Sequence, residues 1–124
     1  MKSKFEINQD QIEFFNGNGY LVVENIIEPT QVEKYTEMYD RFLSGDIDTG
    51  KNRSDLGIGL GNSEAVENIT QIMWPSDFLA ELLSMPYHVN TKEIARQIYG
   101  DDMELDFDML INKAPNTNTP TPWQ

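Results

Sequence analysis

The sequence predicts an α+β fold organised as one domain, and three observations carry that reading. Helix-capping signals followed by one-sided apolar spacing recur near residues 8, 29, 76 and 90. Residues 20–27 are rich in β-branched and aromatic side chains, and residues 103–111 alternate apolar and acidic, the two-residue period of a strand with one buried face. The chain has 124 residues, 39% apolar and 10% aromatic, enough for one core.

The elements follow in order. Asn8 is an N-cap with Gln11 at N3 and Ile7 and Ile12 at the flanking staple positions. That helix turns Ile12, Phe15 and Phe14 to its apolar side and stops at Asn16, Gly17, Asn18 and Gly19, where glycine permits a left-handed cap. Residues 20–27 read as a strand. A second helix opens either with Pro29 at N1 or with Thr30 as cap and Glu33 at N3; the pattern fits both. Its predicted inner face is Val32, Tyr35, Tyr39, Phe42 and Leu43, and Ser44 and Gly45 end it. Residues 45–63, rich in Gly, Asp, Asn and Ser, read as a long surface loop.

Residues 66–74 fit strand and helix alike. Ser76 then caps a helix with Phe78, Leu79, Leu82 and Leu83 inward, and Met85 and Pro86 break it. Asn90 and Glu93 form a further capping box, opening a helix with Ile94, Ala95 and Ile98 on one face and Gly100 at its end. The alternating strand 103–111 buries Met103, Leu105, Phe107, Met109 and Ile111. A strand with a buried face needs a sheet, and no local hairpin completes one, so this strand is expected to begin a sheet. Residues 114–124 are rich in Pro, Thr and Asn.

Composition excludes several chemistries. There is no cysteine, so thiolate metal sites, disulfides and a Cys nucleophile are absent. His88 is the single histidine, so one copy of the chain cannot supply the two imidazoles of a facial iron triad. A net charge of −12 argues against nucleic acid and anionic membranes as partners. The N-terminus has no apolar stretch after Lys2 and Lys4, and no run approaches the roughly 20 residues of a membrane span. A cytoplasmic protein is the expectation.

Four motifs invite chemistry. Gly57, Gly59 and Gly61 are spaced G-x-G-x-G without the strand–turn–helix context of a phosphate loop, and read as loop. Glu104, Asp106 and Asp108 lie about 6–7 Å apart along one strand face, which suits a solvated face better than a shared cation. His88 has no Ser, Cys or second His arranged around it and reads as structural. Trp74 with Pro75, and Pro122 with Trp123, are aromatic anchors beside proline-fixed turns.

Residues 11–25 (QIEFFNGNGYLVVEN), 74–78 (WPSDF), 100–115 (GDDMELDFDMLINKAP) and 119–123 (TPTPW) together resemble the N-terminal part of phytanoyl-CoA dioxygenase family proteins. The resemblance covers nearly all of residues 1–124. It implies a double-stranded β-helix (jelly-roll, cupin-like) oxygenase with helices outside the barrel. It further implies iron(II) and 2-oxoglutarate as cofactors of the full-length family and a small organic molecule as substrate. In the family the Trp-ending stretch runs into His-x-Asp, the first two iron ligands, and a second His and an Arg for 2-oxoglutarate come much later. Here Gln124 follows Trp123, and residues 114–124 are the lead-in to that motif. The barrel is therefore expected to be incomplete in this chain, which supplies no catalytic residue and no metal ligand and binds no cofactor by itself. The one position that resembles a cosubstrate contact is Met109, whose thioether would pack on the 2-oxoglutarate stem. Whether this chain is an enzyme thus stays open. The alternative is a non-catalytic interaction module that forms a homodimer through its open sheet.

Overall fold

A computed structural model describes residues 5–55 and 69–115. The class is α+β: four helices and a three-stranded antiparallel sheet among the described residues. The chain divides into two compact units, Met1–Glu37 with Ala80–Asp106, and Met38–Leu79 with Phe107–Gln124.

In the first unit, α1 (Gln9–Asn18) opens on the cap that the sequence marks. Asn8 Oδ1 accepts the Gln11 N–H at 2.8 Å, and Gln11 Oε1 accepts the Asn8 N–H at 2.9 Å. The helix closes at Gly19, left-handed at φ +82°, which donates its N–H to the Phe15 carbonyl. Residues 20–27 form no strand. Their composition suits one, but a strand exists only against a partner, and no described residue pairs with them.

The helix α2 (Pro29–Ser44) begins with Pro29 at its first position, so Thr30 lies inside the first turn and is not the cap. Gln31 Oε1 accepts the Glu28 N–H at 2.8 Å, satisfying a donor ahead of the helix. The helix α4 (Pro86–Tyr99) corrects two expectations. Pro86 starts it where a break was predicted, because proline's missing N–H costs nothing at N1. The capping box at Asn90 and Glu93 is unused, since a helix already running through those residues leaves no end there to cap. His88 accordingly sits within this helix, not between two.

Tyr35 Oη accepts the N–H of Tyr87 in the first turn of α4 at 2.9 Å. Burial pushes the Tyr35 hydroxyl pKa up, because the phenolate would lose hydration there. The Gln97 amide ties down the chain start: it accepts the Ile7 N–H at 2.8 Å and donates to the Phe5 carbonyl at 2.7 Å. Phe15 meets Tyr99 edge to face at 5.6 Å. Leu82, Met85 and Ile94 are the buried apolar side chains of this unit.

The second unit holds the sheet. Its strands are β1 (Arg53–Asp55), β2 (Ile69–Met73) and β3 (Met109–Lys113), in the order β1-β2-β3. The predicted loop 45–63 therefore contains a 3-10 turn, Gly50–Asn52, and a strand; only the pairing with β2, remote in sequence, makes residues 53–55 a strand. The rest of that loop, 56–63, lies outside the described residues. The ambiguous stretch 66–74 resolves as strand from Ile69 onward.

The single helix expected after residue 75 is two short pieces: α3 (Pro75–Phe78), in the second unit, and a 3-10 turn, Ala80–Ser84, in the first. Ser76 lies buried inside α3 and caps nothing. Phe78 and Leu83 are exposed where they were expected inward; Leu83 lies in the second piece, whose three residues per turn rotate the register. Met38 and Phe42 supply the buried stripe of α2, while Val32 on the predicted face is exposed. No helix among the described residues is long and apolar enough to cross a membrane.

Candidate functional site

The register of the sheet sorts its side chains into two faces. Met73 lies opposite Met109, Gln71 opposite Ile111, Ile72 opposite Leu110 and Thr70 opposite Asn112. Directly opposed residues share a face. One face therefore carries Thr70, Ile72, Leu110 and Asn112, and the later part of α2 lies over it. Tyr39 donates its hydroxyl to Asn112 Oδ1, and desolvation pushes the Tyr39 pKa up. Arg53 donates to the Phe42 and Leu43 carbonyls at 2.8 and 2.9 Å.

The other face carries Met73, Met109 and Ile111, and Met109 and Ile111 are 40% and 41% exposed. This reverses the sequence expectation. The two-residue period is real, but the strand begins only at Met109, and the odd-numbered set predicted inward is the open one. Leu105 and Phe107 are exposed as well, and lie before the strand. Alternation alone gives two faces and does not say which one a helix will cover.

A corner is built at the start of β3. Trp74 adopts φ 54°, ψ 53°, the left-handed region that an aromatic L-residue enters at a cost of roughly 1–2 kcal/mol. Two contacts hold it there. The Trp74 N–H donates to the Asp108 carbonyl at 2.9 Å, and the Ser76 hydroxyl donates to Asp108 Oδ1 at 3.0 Å. The indole meets the Phe107 ring at 6.4 Å, near edge-on. Trp74, Phe107, Met109 and Ile111 are thus all partly open to solvent on or beside one sheet face. That face carries no carboxylate or imidazole. It can pack an apolar stem or ring, and it cannot coordinate a metal ion.

The remaining predicted residues are not brought together. Glu104 pairs with Lys92 at 3.3 Å and Asp108 is engaged by Ser76, so the acidic row serves separate local contacts. His88 stacks edge-on against Tyr87 at 5.9 Å. Among the described residues no group of three His, Asp or Glu could hold a metal ion. Gly57, Gly59, Gly61, Pro122 and Trp123 lie outside the described residues. A separate groove of about 390 Å³ in the first unit is lined by Thr30, Gln31, Lys34, Glu81, Ser84, Met85 and Pro86, and the Lys34–Glu81 ion pair at 2.8 Å forms part of its wall. Of these, Thr30, Met85 and Pro86 stood out in the sequence only as helix-boundary residues, not as functional candidates.

Sequence reasoning missed the Ser76–Asp108 contact and the Arg53 clamp. Asp108 carried a signal, an acid in the alternating stretch, but its partner is 32 residues away. Arg53 carried none.

Fold and site together define an α+β chain whose antiparallel sheet, among the described residues, leaves Met109 and Ile111 partly exposed on one face beside a tryptophan-centred corner. The sequence profile of the phytanoyl-CoA dioxygenase family matches residues 15–124, and the chain belongs to that family, an oxygenase-like one. No curated protein and no solved structure matches the chain.

Proposed function

We propose that this chain forms the outer helices and one sheet wall of a jelly-roll oxygenase that uses iron(II) and 2-oxoglutarate to hydroxylate a small organic substrate, and that it does not turn over alone. The observation that carries the reading is the open face of β3 in a chain whose family match spans residues 15–124. In such a site Met109 packs against the stem of the cosubstrate, and the Ser76–Asp108 contact holds the strand start in place. The metal supplies the oxidising chemistry when bound; one copy of this chain cannot supply both imidazoles of a facial triad, since His88 is its single histidine.

Titration of the 124-residue chain with Mn(II) and 2-oxoglutarate, followed by calorimetry and by succinate release under Fe(II), tests this. No saturable heat and no succinate are expected. Saturable metal binding with turnover would overturn the claim of inactivity.

The exposure of Met109 and Ile111 also favours a second reading, a homodimer that buries this face. The charge of −12 on each copy opposes it. Sedimentation equilibrium at rising salt checks the point: on this reading dimer grows as screening increases, and a monomer throughout rejects it.

A further inference from the structure

An asparagine side chain is most open to attack by the next backbone nitrogen when glycine follows, because glycine puts no Cβ in the way. The sequence holds two such pairs, and they are consecutive: Asn16 with Gly17, and Asn18 with Gly19. They fall at the end of α1, where all four residues are exposed. A Cβ at Gly17 or Gly19 would meet nothing within 4 Å, so nothing crowds either nitrogen.

This helix end is weakly held. The helix α1 buries no residue and has no basic side chain in its last turn to meet the dipole. Phe15, against Tyr99 at 5.6 Å, pins the helix just before the exposed four. Glycine at position 17 favours the unwound state. Two contacts restrain the second pair. Asn18 Nδ2 donates to the Phe14 carbonyl at 2.9 Å, an exposed bond, and the Gly19 N–H donates to the Phe15 carbonyl at 2.7 Å. Helices fray from the end inward, so Gly19 is freed first. The Gly17 N–H, which α-geometry aims at the Glu13 carbonyl, is freed only after Gly19 and Asn18 have let go.

We infer that Asn18 is a site of spontaneous deamidation in the folded chain, and that its conversion opens the way to Asn16. The Gly19 nitrogen attacks Asn18 Cγ. A C–N bond forms, the Cγ–Nδ2 bond breaks, and ammonia leaves with the proton from the Gly19 nitrogen. Water then opens the five-membered imide. Cleavage at the side-chain carbonyl gives aspartate, and cleavage at the backbone carbonyl gives isoaspartate. Either product loses the donor to the Phe14 carbonyl and sets a carboxylate at the negative end of the helix dipole, which loosens the last turn. The Gly17 nitrogen is then released more often to attack Asn16 in the same way. The inference is independent of the oxygenase reading, because it uses neither the sheet nor any metal.

The experiment holds the 124-residue chain in mildly alkaline buffer, native and unfolded in guanidinium chloride, and follows each asparagine by digestion and tandem mass spectrometry. In the native chain Asn18 is expected to convert at least about fivefold faster than Asn16, the factor that roughly one further hydrogen bond supplies. In the unfolded chain the two are expected to convert at similar rates, because no helix remains to order them. Asn18→Asp is expected to speed conversion at Asn16 in the native chain by about two- to fivefold, the weight of one charge at a helix end. Asn18→Gln, which adds no charge, is expected to leave Asn16 slow. A native chain that stays intact at Asn18 while the unfolded chain converts overturns the inference, as does Asn16 keeping pace with Asn18 in the native chain. An Asn16 rate unchanged by Asn18→Asp overturns the coupling between them.

Discussion

Phe42→Ala is expected to lower the unfolding free energy by about 3–5 kcal/mol, the range for emptying a fully buried aromatic position. Phe42 is 1% exposed, and with Met38, Ile69 and Ile72 it makes up the buried apolar set of the sheet-bearing unit. A cavity there cannot be refilled cheaply. Ile72, on the central strand, is 0% exposed, and strand pairing on both sides fixes the backbone beneath it. Urea unfolding followed by far-ultraviolet dichroism gives the measurement, with Phe42→Leu expected to lose less. A loss below about 1 kcal/mol for Phe42→Ala would mean that this position is not core.

Arg53→Met is expected to cost about 2 kcal/mol, the middle of the range for hydrogen bonds made by a charged group. The guanidinium donates to the carbonyls of Phe42 and Leu43 in the last turn of α2, the first of which also accepts the Gly45 N–H at 3.2 Å, and its charge lies at the negative end of the helix dipole. Methionine retains much of the stem and removes the donors. Arg53→Lys is expected to recover only part of the loss, because one ammonium does not reproduce the planar fork that reaches both carbonyls. The urea midpoints of the three proteins decide it; a methionine variant as stable as the parent would show that the clamp contributes nothing.

The two variants probe features of unequal legibility. Phe42 stands out in the sequence as an apolar residue at helical spacing, and its burial follows. Arg53 lay in a stretch read as loop, since three residues of strand against a distant partner leave no periodic trace. The same contrast holds elsewhere. Asn8, Gln11 and Gly19 delimit α1 through contacts within a few residues, and the sequence marks them correctly. Pro86 was misread because one residue type ends a helix when inside it and opens one at its first position. Met109 was singled out by family likeness alone, and it was expected on the buried face where the structure leaves it 40% exposed.

By itself, then, the sequence determined the α+β class, the caps of α1, the glycine ends of α1 and α4, and the residues that carry the family likeness. Each depends on backbone chemistry or side-chain contacts within about one helical turn, or on residue identity alone. Only the tertiary structure decided that residues 53–55 pair with β2, that residues 20–25 find no strand partner among the described residues, and that Met109 and Ile111 are partly exposed. Strand pairing and the choice of buried face depend on partners tens of residues away. A two-residue period describes both faces of a strand equally well until a helix covers one of them.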